Sequence, residues 1–240
     1  MPRPRAKAPA RVAPRRARAR ATAGNGAPQT LTDRAYTALE ELIVRLELPP
    51  GSAVSEAMLS ERLGIGRTPI REALQRLARE RLVQILPRRG VIVSDINVKG
   101  QLRLIELRRE VERLVVRSAA RRATEAERTR FAELADRFEK SARQNDDTTF
   151  MRVDREYNDL SVSAAKNEFA AGAMSLMHSL SRRFWYMHYK QAADMPEVAK
   201  LHADIARAIA AGDEDAAGAA SDRLLDMVES FTRATVTTDF

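Results

Sequence analysis

Arginines are the residues of this sequence whose number and spacing best suit a specific chemistry. Between Arg62 and Arg89 the chain has eight arginines and two acids, Glu72 and Glu80, which is a local balance of +6. The planar guanidinium fork donates paired hydrogen bonds to phosphates and to the edges of guanine bases. Such a cluster therefore indicates a nucleic-acid surface, provided that the surrounding elements present it in the right geometry.

Residues 64–82 predict the element that presents these arginines. Thr68 can cap a helix, and Pro69 lies in its first turn, where a missing N–H costs little. One apolar stripe follows at helical spacing, and the arginines remain on the other faces; the stripe consists of Ile70, Ala73, Leu74, Leu77 and Ala78. A short helix with arginines at its N-terminal end suits a DNA major groove. The alternative is a solvated helix with ordinary surface charge.

The flanking segments predict a winged helix-turn-helix. Residues 55–64 form a short amphipathic pattern that ends at Gly64, a typical C-cap. Residues 64–67 are short enough for the tight turn between two such helices. Residues 82–94 contain two β-rich runs around a basic tip at residues 87–90, which predicts a hairpin. Upstream, Thr32 and Asp33 begin a further helix.

Residues 31–94 resemble the DNA-binding domain of GntR-type transcriptional regulators. The resemblance is carried by Pro49-Pro-Gly51, Ser55-Glu56, the run from Leu63 to Leu74, Leu77, Leu82-Val83 and Arg89-Gly90. It implies that Arg67, Thr68 and Arg71 contact phosphates and base edges. It also implies that Arg89 and Gly90 reach the minor groove at the wing tip. Ala57 departs from the family pattern, which often has a basic contact residue there.

Composition separates a basic tail from a neutral remainder. The 240 residues carry a net charge of +8 and no cysteine, which excludes disulfides, thiolate zinc sites and Cys nucleophiles. Residues 1–30 contain eight Lys and Arg and no acid, and subtracting them leaves 33 basic and 33 acidic residues. This tail is predicted to be disordered. It is a DNA-phosphate arm, a transit peptide or a passive solubilising segment, and we favour a passive or weakly DNA-binding tail.

The remaining chain predicts an all-helical bundle. Helix caps and breaks, among them a capping box at Thr124 to Glu127 and a junction at Gly212-Asp213, indicate six helices. They lie at about residues 98–122, 124–144, 147–165, 167–191, 194–211 and 213–236. Short connections favour an antiparallel arrangement. The predicted fold class is therefore mainly α, with a winged helix-turn-helix that carries a small β-wing, followed by a six-helix bundle. The predicted domains are residues 1–30, 31–95 and 96–240.

The bundle resembles the FCD domain of the FadR branch of the same family. The matching residues are Leu107-Arg108-x-x-Val111-Glu112, Asp154-x-x-Tyr157-Asn158, Ala165-Lys-Asn167, His202 and Ala208-Ile-x-x-Gly212-Asp213. The resemblance implies a pocket for a small organic acid, often beside a divalent metal held by one Asp and three His. Those four positions are occupied here by Asp154, Asn158, His202 and Leu224.

The altered ligand set predicts a pocket that persists without a strong metal site. Asp154, Asn158 and His202 could hold a divalent cation weakly, or the site has been lost, because Leu224 cannot coordinate a metal. Positive charge for an anionic effector would then come from Arg108, Arg182 or Arg183. The alternative for Arg108 is an ion pair with Glu112 within the helix. Which of Arg182 and Arg183 points inward stays open.

Residues 184–189 hold much of the aromatic content of the chain, including the single tryptophan, Trp185. One face of this run, with Trp185 and Tyr189, could line a ligand pocket, or it could be bundle core or a dimer surface. His178 and His188 are expected to be ordinary helix residues.

The sequence therefore predicts a ligand-responsive transcription factor rather than an enzyme, because it has no G-x-S-x-G, P-loop or H-E-x-x-H motif. We expect a cytoplasmic homodimer that reads a short palindromic operator in double-stranded DNA, most often as a repressor, with a small carboxylate as effector. No window is apolar enough to span a membrane. The alternative function is an architectural or ligand-independent DNA-binding protein.

Overall fold

The computed structural model describes residues 29–88, 90–192 and 194–235, without the side chains of residues 190–192. Residues 1–28, which contain nearly all of the predicted tail, and Arg89 lie outside the described residues. The fold is mainly helical with a small antiparallel sheet, as the sequence predicts. Within the described ranges, no helix is long and apolar enough to cross a membrane.

Three helices and three short strands form the N-terminal part. In chain order they are α1 (Leu31–Val44), β1 (Ala53–Val54), α2 (Glu56–Leu63), α3 (Arg67–Arg79), β2 (Val83–Leu86) and β3 (Gly90–Val93). The Ser55 side chain accepts a hydrogen bond from the Met58 N–H at the start of α2, and Gly64 ends this helix with a left-handed φ of 63°. Together they fix the turn that leads into α3.

The beginning of α3 differs from the prediction. The helix starts at Arg67, and its N-cap is Gly66, which has no side chain to cap it. Thr68 therefore lies inside the first turn and does not cap the helix. The predicted apolar stripe is confirmed, because Ile70, Ala73, Leu74 and Leu77 are all buried. They pack in one core cluster with Leu39 and Ile43 of α1 and with residues of the sheet.

The sheet has the strand order β1-β3-β2, and every pairing is antiparallel. The register pairs Leu86 with Gly90, so residues 87–89 connect the two strands of the wing. The sequence predicts this hairpin but not β1, which is only two residues long. Both wing strands bury one face in the core cluster that contains the α3 stripe, through Val83, Val91 and Val93.

Six helices form the C-terminal part: α4 (Val98–Arg122), α5 (Glu125–Gln144), α6 (Asp147–Ala164), α7 (Glu168–Ala192), α8 (Met195–Ala211) and α9 (Glu214–Thr235). Their ends follow local chemistry. Thr124 and Glu127 form the predicted capping box, and Gly212 ends α8 with a left-handed φ of 75°. The helix α5 packs on α8 and α4 packs on α9, around a core that includes Phe131, Phe138 and Leu225.

One junction joins the two parts. The first helix, α1, packs against α7, and Leu180 of α7 is partly buried against the core of the winged part. The same segment of α7 faces the bundle interior, so a single helix contacts both parts of the chain.

Candidate DNA-binding surface and ligand cavity

The N-terminal end of α3 presents an uncovered basic edge. Arg67, Thr68 and Arg71 are all exposed, and the stripe that anchors α3 lies on the opposite face. The first N–H groups of a helix carry partial positive charge, which adds to the attraction for phosphate. The three residues named from the resemblance thus lie together on one accessible edge.

Arg71 is held in place by an acid that sequence reasoning did not pair with it. Its Nε lies 2.8 Å from Glu56 Oε1 and its Nη2 lies 2.7 Å from Glu56 Oε2, so the two side chains form a bidentate pair between α3 and α2. The hydrogen bond from Arg71 lowers the pKa of Glu56 and keeps it ionised. The guanidinium is therefore pre-positioned, although part of its charge is already neutralised.

Not every arginine of the basic cluster faces outward. The Arg76 guanidinium lies 3.6 Å from the centroid of the Tyr36 ring and also contacts Glu80. The hydroxyl of Tyr36 donates to Glu80 at 2.7 Å, and burial raises the pKa of that carboxyl group. Arg76 thus helps to attach α3 to α1, and its charge is not free to meet DNA.

The wing turn depends on a glycine. Gly90 has a φ of +91°, and an added Cβ would lie 3.2 Å from the carbonyl oxygen of Val54 in β1. A side chain at this position would strain the backbone and press on the neighbouring strand. Arg88, next to the turn, is exposed. Gly90 therefore has a structural reason to be glycine, whatever it contacts.

A cavity lies inside the bundle, lined by α4, α6, α7, α8 and α9. It receives Arg108, Asp154, Asn158, Arg182 and His202, which are five of the six predicted effector residues. Its wall is largely apolar and aromatic, with Phe150, Met151, Phe184, Trp185, Val198, Leu224, Val228 and Phe231. An apolar cavity with a few convergent polar groups is the usual form of a small-molecule site.

Asn158 and His202 both contact Asp154 on one side of this cavity. The Asn158 amide donates to Asp154 Oδ1 at 3.0 Å, and His202 Nε2 lies 3.3 Å from the same oxygen. His202 Nδ1 donates to the carbonyl of Val198 at 2.8 Å. Burial raises the pKa of Asp154, but the hydrogen bond and charge of His202, with the charge of Arg182, outweigh burial and lower it.

The donor set does not fit the four-ligand metal site of the resembling family. Leu224 presents only methyl groups, and the Asn158 nitrogen, bound to Asp154, is a donor rather than a ligand. The described residues contain no group of three or more His, Cys, Asp or Glu side chains arranged to hold a metal. We therefore assign no step to a metal at Asp154, Asn158 and His202.

Arg108 satisfies both alternatives that the sequence left open. Its Nε donates to Glu112 Oε2 at 2.6 Å, which is the intrahelical pair, and its side chain also lines the cavity. Both groups are buried, with residue exposures of 9% and 3%. Burial lowers the pKa of Arg108, but the charge and hydrogen bond of Glu112 more than reverse this, so the guanidinium stays charged.

The structure separates the two adjacent arginines of α7. Arg182 lines the cavity, whereas Arg183 donates to the carbonyl oxygen of Ser94, just after the wing. Arg183 is 1% exposed, and burial lowers its pKa to about 10. Of the two candidate effector residues, the structure thus places only Arg182 in the cavity wall and Arg183 outside it, because neighbouring helical residues point about 100° apart.

Three further polar groups on α7 line the cavity. His178 Nε2, Ser181 Oγ and Trp185 Nε1 are buried and have no hydrogen-bond partner among the described residues. With Arg182 they follow the spacing i, i+3, i+4 and i+7, which places all four on one helix face. Sequence reasoning missed His178 and Ser181 because spacing shows which residues share a face, not where that face points.

The aromatic run 184–189 divides between two environments. Trp185 lines the cavity and packs on Phe231 with ring centroids 4.6 Å apart. The hydroxyl of Tyr189 instead donates to Asp147 at 2.9 Å, in a cleft between α1 and the start of α6. Only the Trp185 part of the predicted pocket face is therefore in the cavity.

The geometry thus combines an exposed basic helix on a winged part with a cavity in a helical bundle, as in transcription regulators. Two family models match the chain in this order: "Bacterial regulatory proteins, gntR family" over residues 31–93 and "FCD domain" over residues 103–227. The chain belongs to the GntR family of transcription regulators and carries an FCD domain. Members of this family bind DNA through the helix-turn-helix.

Similar proteins agree with this assignment. The HTH-type transcriptional repressor RspR of Escherichia coli K12 is 27% identical over 207 residues, which covers 85% of this chain and 90% of RspR. A regulator from an unstable DNA locus of Streptomyces ambofaciens is 45% identical over 62 residues, or 26% of each chain. The solved structure of E. coli McbR/YncC shares the fold with a TM-score of 0.72 at 18% identity, over 86% of this chain and 99% of McbR/YncC.

Proposed function

We propose that this protein is a repressor whose affinity for DNA is controlled by a small organic acid bound in the bundle cavity. The observation that carries the proposal is the set of donors in that cavity. Arg108 and Arg182 face the same apolar-walled space as Trp185 Nε1 and Ser181 Oγ, which lack hydrogen-bond partners among the described residues. Buried polar groups left without partners are costly, so such a site favours a ligand that supplies acceptors.

A carboxylate attached to an apolar body fits this cavity best. An indole N–H and a guanidinium N–H are donors only, and a carboxylate offers acceptors alone. The aromatic and aliphatic wall formed by Phe150, Val228 and Phe231 suits the rest of such a molecule. The effector class is therefore a small monocarboxylate rather than a polyhydroxylated acid, which needs many more polar partners.

For DNA we propose direct contacts by Arg67, Thr68 and Arg71, with Arg89 and Gly90 at the wing tip. Support comes from the exposed edge of α3 and from the basic wing turn. The relative RspR is named a repressor, which supports repression as the mode of action. Residues 31–95 would act as the DNA-reading domain, and residues 96–240 as the effector-binding and dimerisation domain.

A homodimer fits the exposed apolar surface of the bundle. Leu107 and Leu114, seven residues apart on α4, are 56% and 48% exposed, and Leu176 on the adjoining α7 is 47% exposed. Burying such a surface against a second copy would stabilise the pair. Two winged domains related by a two-fold axis would then read a short palindrome.

One observation favours a second candidate, DNA binding without an effector. Arg108 and Arg182 already pair with Glu112 and Glu40, so the cavity has no uncompensated arginine in this structure. A ligand-independent regulator would show the same DNA affinity with every small acid. The two candidates are therefore separated by a single titration.

The decisive variant removes the Arg108 cation without leaving a buried charge alone. Substituting Arg108→Ala would strand Glu112 and destabilise the bundle, so we combine Arg108→Gln with Glu112→Gln. The matched control is Arg113→Gln with Asp222→Asn, a pair on α4 and α9 with a 2.7 Å contact outside the cavity. Small monocarboxylates are added in increasing amounts, and two signals are followed. These are the fluorescence emission of Trp185 and the retardation in a gel of DNA from upstream of the gene, which we call DNA retention.

The expected result is that the cavity variant loses affinity for the carboxylate by at least about tenfold, because hydrogen bonds to charged groups carry that much binding energy. Its DNA affinity without ligand stays that of the wild type. The control pair leaves both unchanged. An unaltered carboxylate response in the cavity variant would remove Arg108 from the site, and no response in any protein would favour the second candidate.

A further inference from the structure

Arg182 belongs to two sites at once. Its side chain lines the bundle cavity, while its Nη1 donates to Glu40 Oε1 at 2.9 Å. Glu40 is on α1 of the winged part, 142 residues away in sequence, and is only 3% exposed. The same guanidinium therefore touches the proposed ligand space and a buried acid of the DNA-binding part.

Arg182 is the cation nearest to the buried carboxylate of Glu40. Ser179 Oγ donates to Glu40 Oε1 at 3.0 Å, and the guanidinium of Arg155 is 3.6 Å from Oε2. Among the described residues, Oε2 has no hydrogen-bond partner. A buried carboxylate held this way is costly to leave without its nearest cation. Any group that draws Arg182 away from Glu40 therefore loosens the contact of α1 with α7.

The residues beside Arg182 fix the same junction. Leu180 is partly buried against the core of the winged part, and Arg183 donates to the Ser94 carbonyl. Between them, Ser181 and Arg182 face the cavity. One turn of α7 thus has one side that faces the cavity and another side that packs against and hydrogen-bonds to the winged part.

We propose that a carboxylate in the cavity competes with Glu40 for Arg182, and that this exchange transmits ligand binding to the winged part. The inference rests on the proposed function of the cavity. Arg182 Nε has no hydrogen-bond partner among the described residues, so it can receive the ligand before the bond to Glu40 lengthens. Two anions then share one cation in a poorly solvated region, and each weakens the hold of the other.

Reciprocity gives this exchange a measurable sign. If the bound ligand weakens the contact of Arg182 with Glu40, then removing the Glu40 charge must raise the affinity for the ligand by the same coupling free energy. Glu40→Gln keeps the shape and a hydrogen-bond acceptor for Arg182 but ends the charge competition. The matched control is Glu47→Gln, which removes an acid of the winged part that pairs with Arg62 at 2.8 Å, away from the cavity.

The experiment titrates the full chain with acetate, butyrate, benzoate and succinate, and follows Trp185 emission. Butyramide and benzamide serve as uncharged controls of the same shape. In Glu40→Gln the carboxylates bind about tenfold more tightly than in the wild type, within the usual range of coupling between sites. The amides bind equally in both proteins, and Glu47→Gln behaves like the wild type.

A second measurement follows retention of the upstream DNA by the same proteins. In Glu40→Gln the carboxylate alters DNA affinity less than in the wild type, because the ion pair of Arg182 with Glu40 that it would break is already absent. Should Glu40→Gln fail to fold, Glu40→Asp keeps the charge but withdraws it from Arg182, and the carboxylates then bind more tightly than in the wild type; an unchanged affinity would overturn the exchange.

The possible failures are distinguishable. Equal carboxylate affinity in wild type and Glu40→Gln would overturn the exchange, while a persisting DNA response would leave the proposed function standing. If no member of the carboxylate series altered Trp185 emission in either protein, the carboxylate site itself would be refuted, and the exchange with it.

Discussion

Arg71, which we propose reads DNA, is held by a neighbouring acid. The bidentate pair of Arg71 with Glu56 ties the N-terminal end of α3 to α2, so the guanidinium is oriented before DNA arrives. On binding, a phosphate or base edge competes with Glu56 for the same N–H donors. Glu56 therefore favours specificity over raw affinity, because only a well-placed partner compensates for weakening the existing pair.

We expect Arg71→Ala to abolish retention of upstream DNA while the protein stays folded. The side chain is 60% exposed, and an exposed ion pair such as the one with Glu56 contributes little to stability, so the fold should survive its loss. Retention is measured at moderate ionic strength, and folding by thermal unfolding.

The matched control is Arg121→Ala, which deletes an equally exposed arginine from α4, where it pairs with Glu214 at 3.0 Å. This variant loses the same charge and keeps full retention. Undiminished retention by Arg71→Ala, or an equal loss in both variants, would contradict the assignment of Arg71.

His178 gives the protein a specific pH dependence of stability. Burial, with the nearby charge of Arg108, lowers its pKa to about 4 from the ordinary value of 6.5. Between these values the unfolded chain binds more protons than the folded chain, so stability falls as the pH falls. The loss attributable to His178 is at most about 3 kcal/mol by pH 4.

His178→Gln should therefore flatten the stability profile between pH 6.5 and 4, measured by urea unfolding at several pH values. Only the difference between variant and wild type is used, because other groups titrate in the same range. If the two profiles ran parallel, His178 would titrate with the same pKa in the folded and unfolded chain, and burial at the cavity would not lower it.

At the level of elements, the sequence was sufficient wherever a local signal fixed a helix end. Thr124 with Glu127 and the left-handed Gly212 both predict helix ends that the structure has. The strand β1 was not predictable, because two residues carry no periodicity and its pairing with β3 depends on the folded winged part. Thr68 was misassigned because residue type suggested a cap, whereas the backbone of Gly66 occupies that position.

For a similar reason the sequence could not decide which of Arg182 and Arg183 faces the cavity. Periodicity places the two residues on different faces of α7, but only the packing of α7 between α1 and the bundle decides which face is internal. The cavity as a group of residues was foreseeable from the resemblance. Its connection to Glu40 was not, because that contact spans 142 residues and two folded parts.

The wing turn is sensitive to a single added methyl group. We expect Gly90→Ala to destabilise the protein by about 1–3 kcal/mol, since alanine at a φ of +91° is strained and its Cβ would approach the Val54 carbonyl at 3.2 Å. DNA retention should weaken as well, because the wing turn moves. Thermal unfolding and DNA retention measure the two effects.

Gly172→Ala is the matched control for this substitution. Gly172 is exposed within α7, and its added Cβ meets nothing within 4 Å, so alanine should leave stability unchanged or raise it by up to about 1 kcal/mol. A wing variant as stable as this control would show that the turn adapts and that Gly90 is not required for its shape.

For the whole molecule, the proposed mechanism makes regulation depend on whether the winged part is held against the bundle. Three contacts on one turn of α7 hold the two parts together, and the other side of this turn faces the cavity. They are Arg182 with Glu40, Leu180 with the core of the winged part, and Arg183 with the carbonyl of Ser94. A ligand can shift such an equilibrium only by as much as it prefers one arrangement over the other. In the proposed exchange, the ligand prefers the arrangement in which Arg182 has left Glu40, because Arg182 lines the cavity and contacts Glu40 at the same time.

The most direct test measures the affinity of the full chain for DNA upstream of its gene, with and without a carboxylate that changes Trp185 emission. The wild type should bind this DNA more tightly than random DNA of equal length and lose about 5- to 150-fold in affinity when the carboxylate is added. Arg182→Gln combined with Glu40→Gln, which avoids leaving the Glu40 carboxylate buried without its nearest cation, should give a DNA affinity that does not respond to the carboxylate. A wild-type protein that treated both DNAs alike, or a variant that responded in full, would contradict the account.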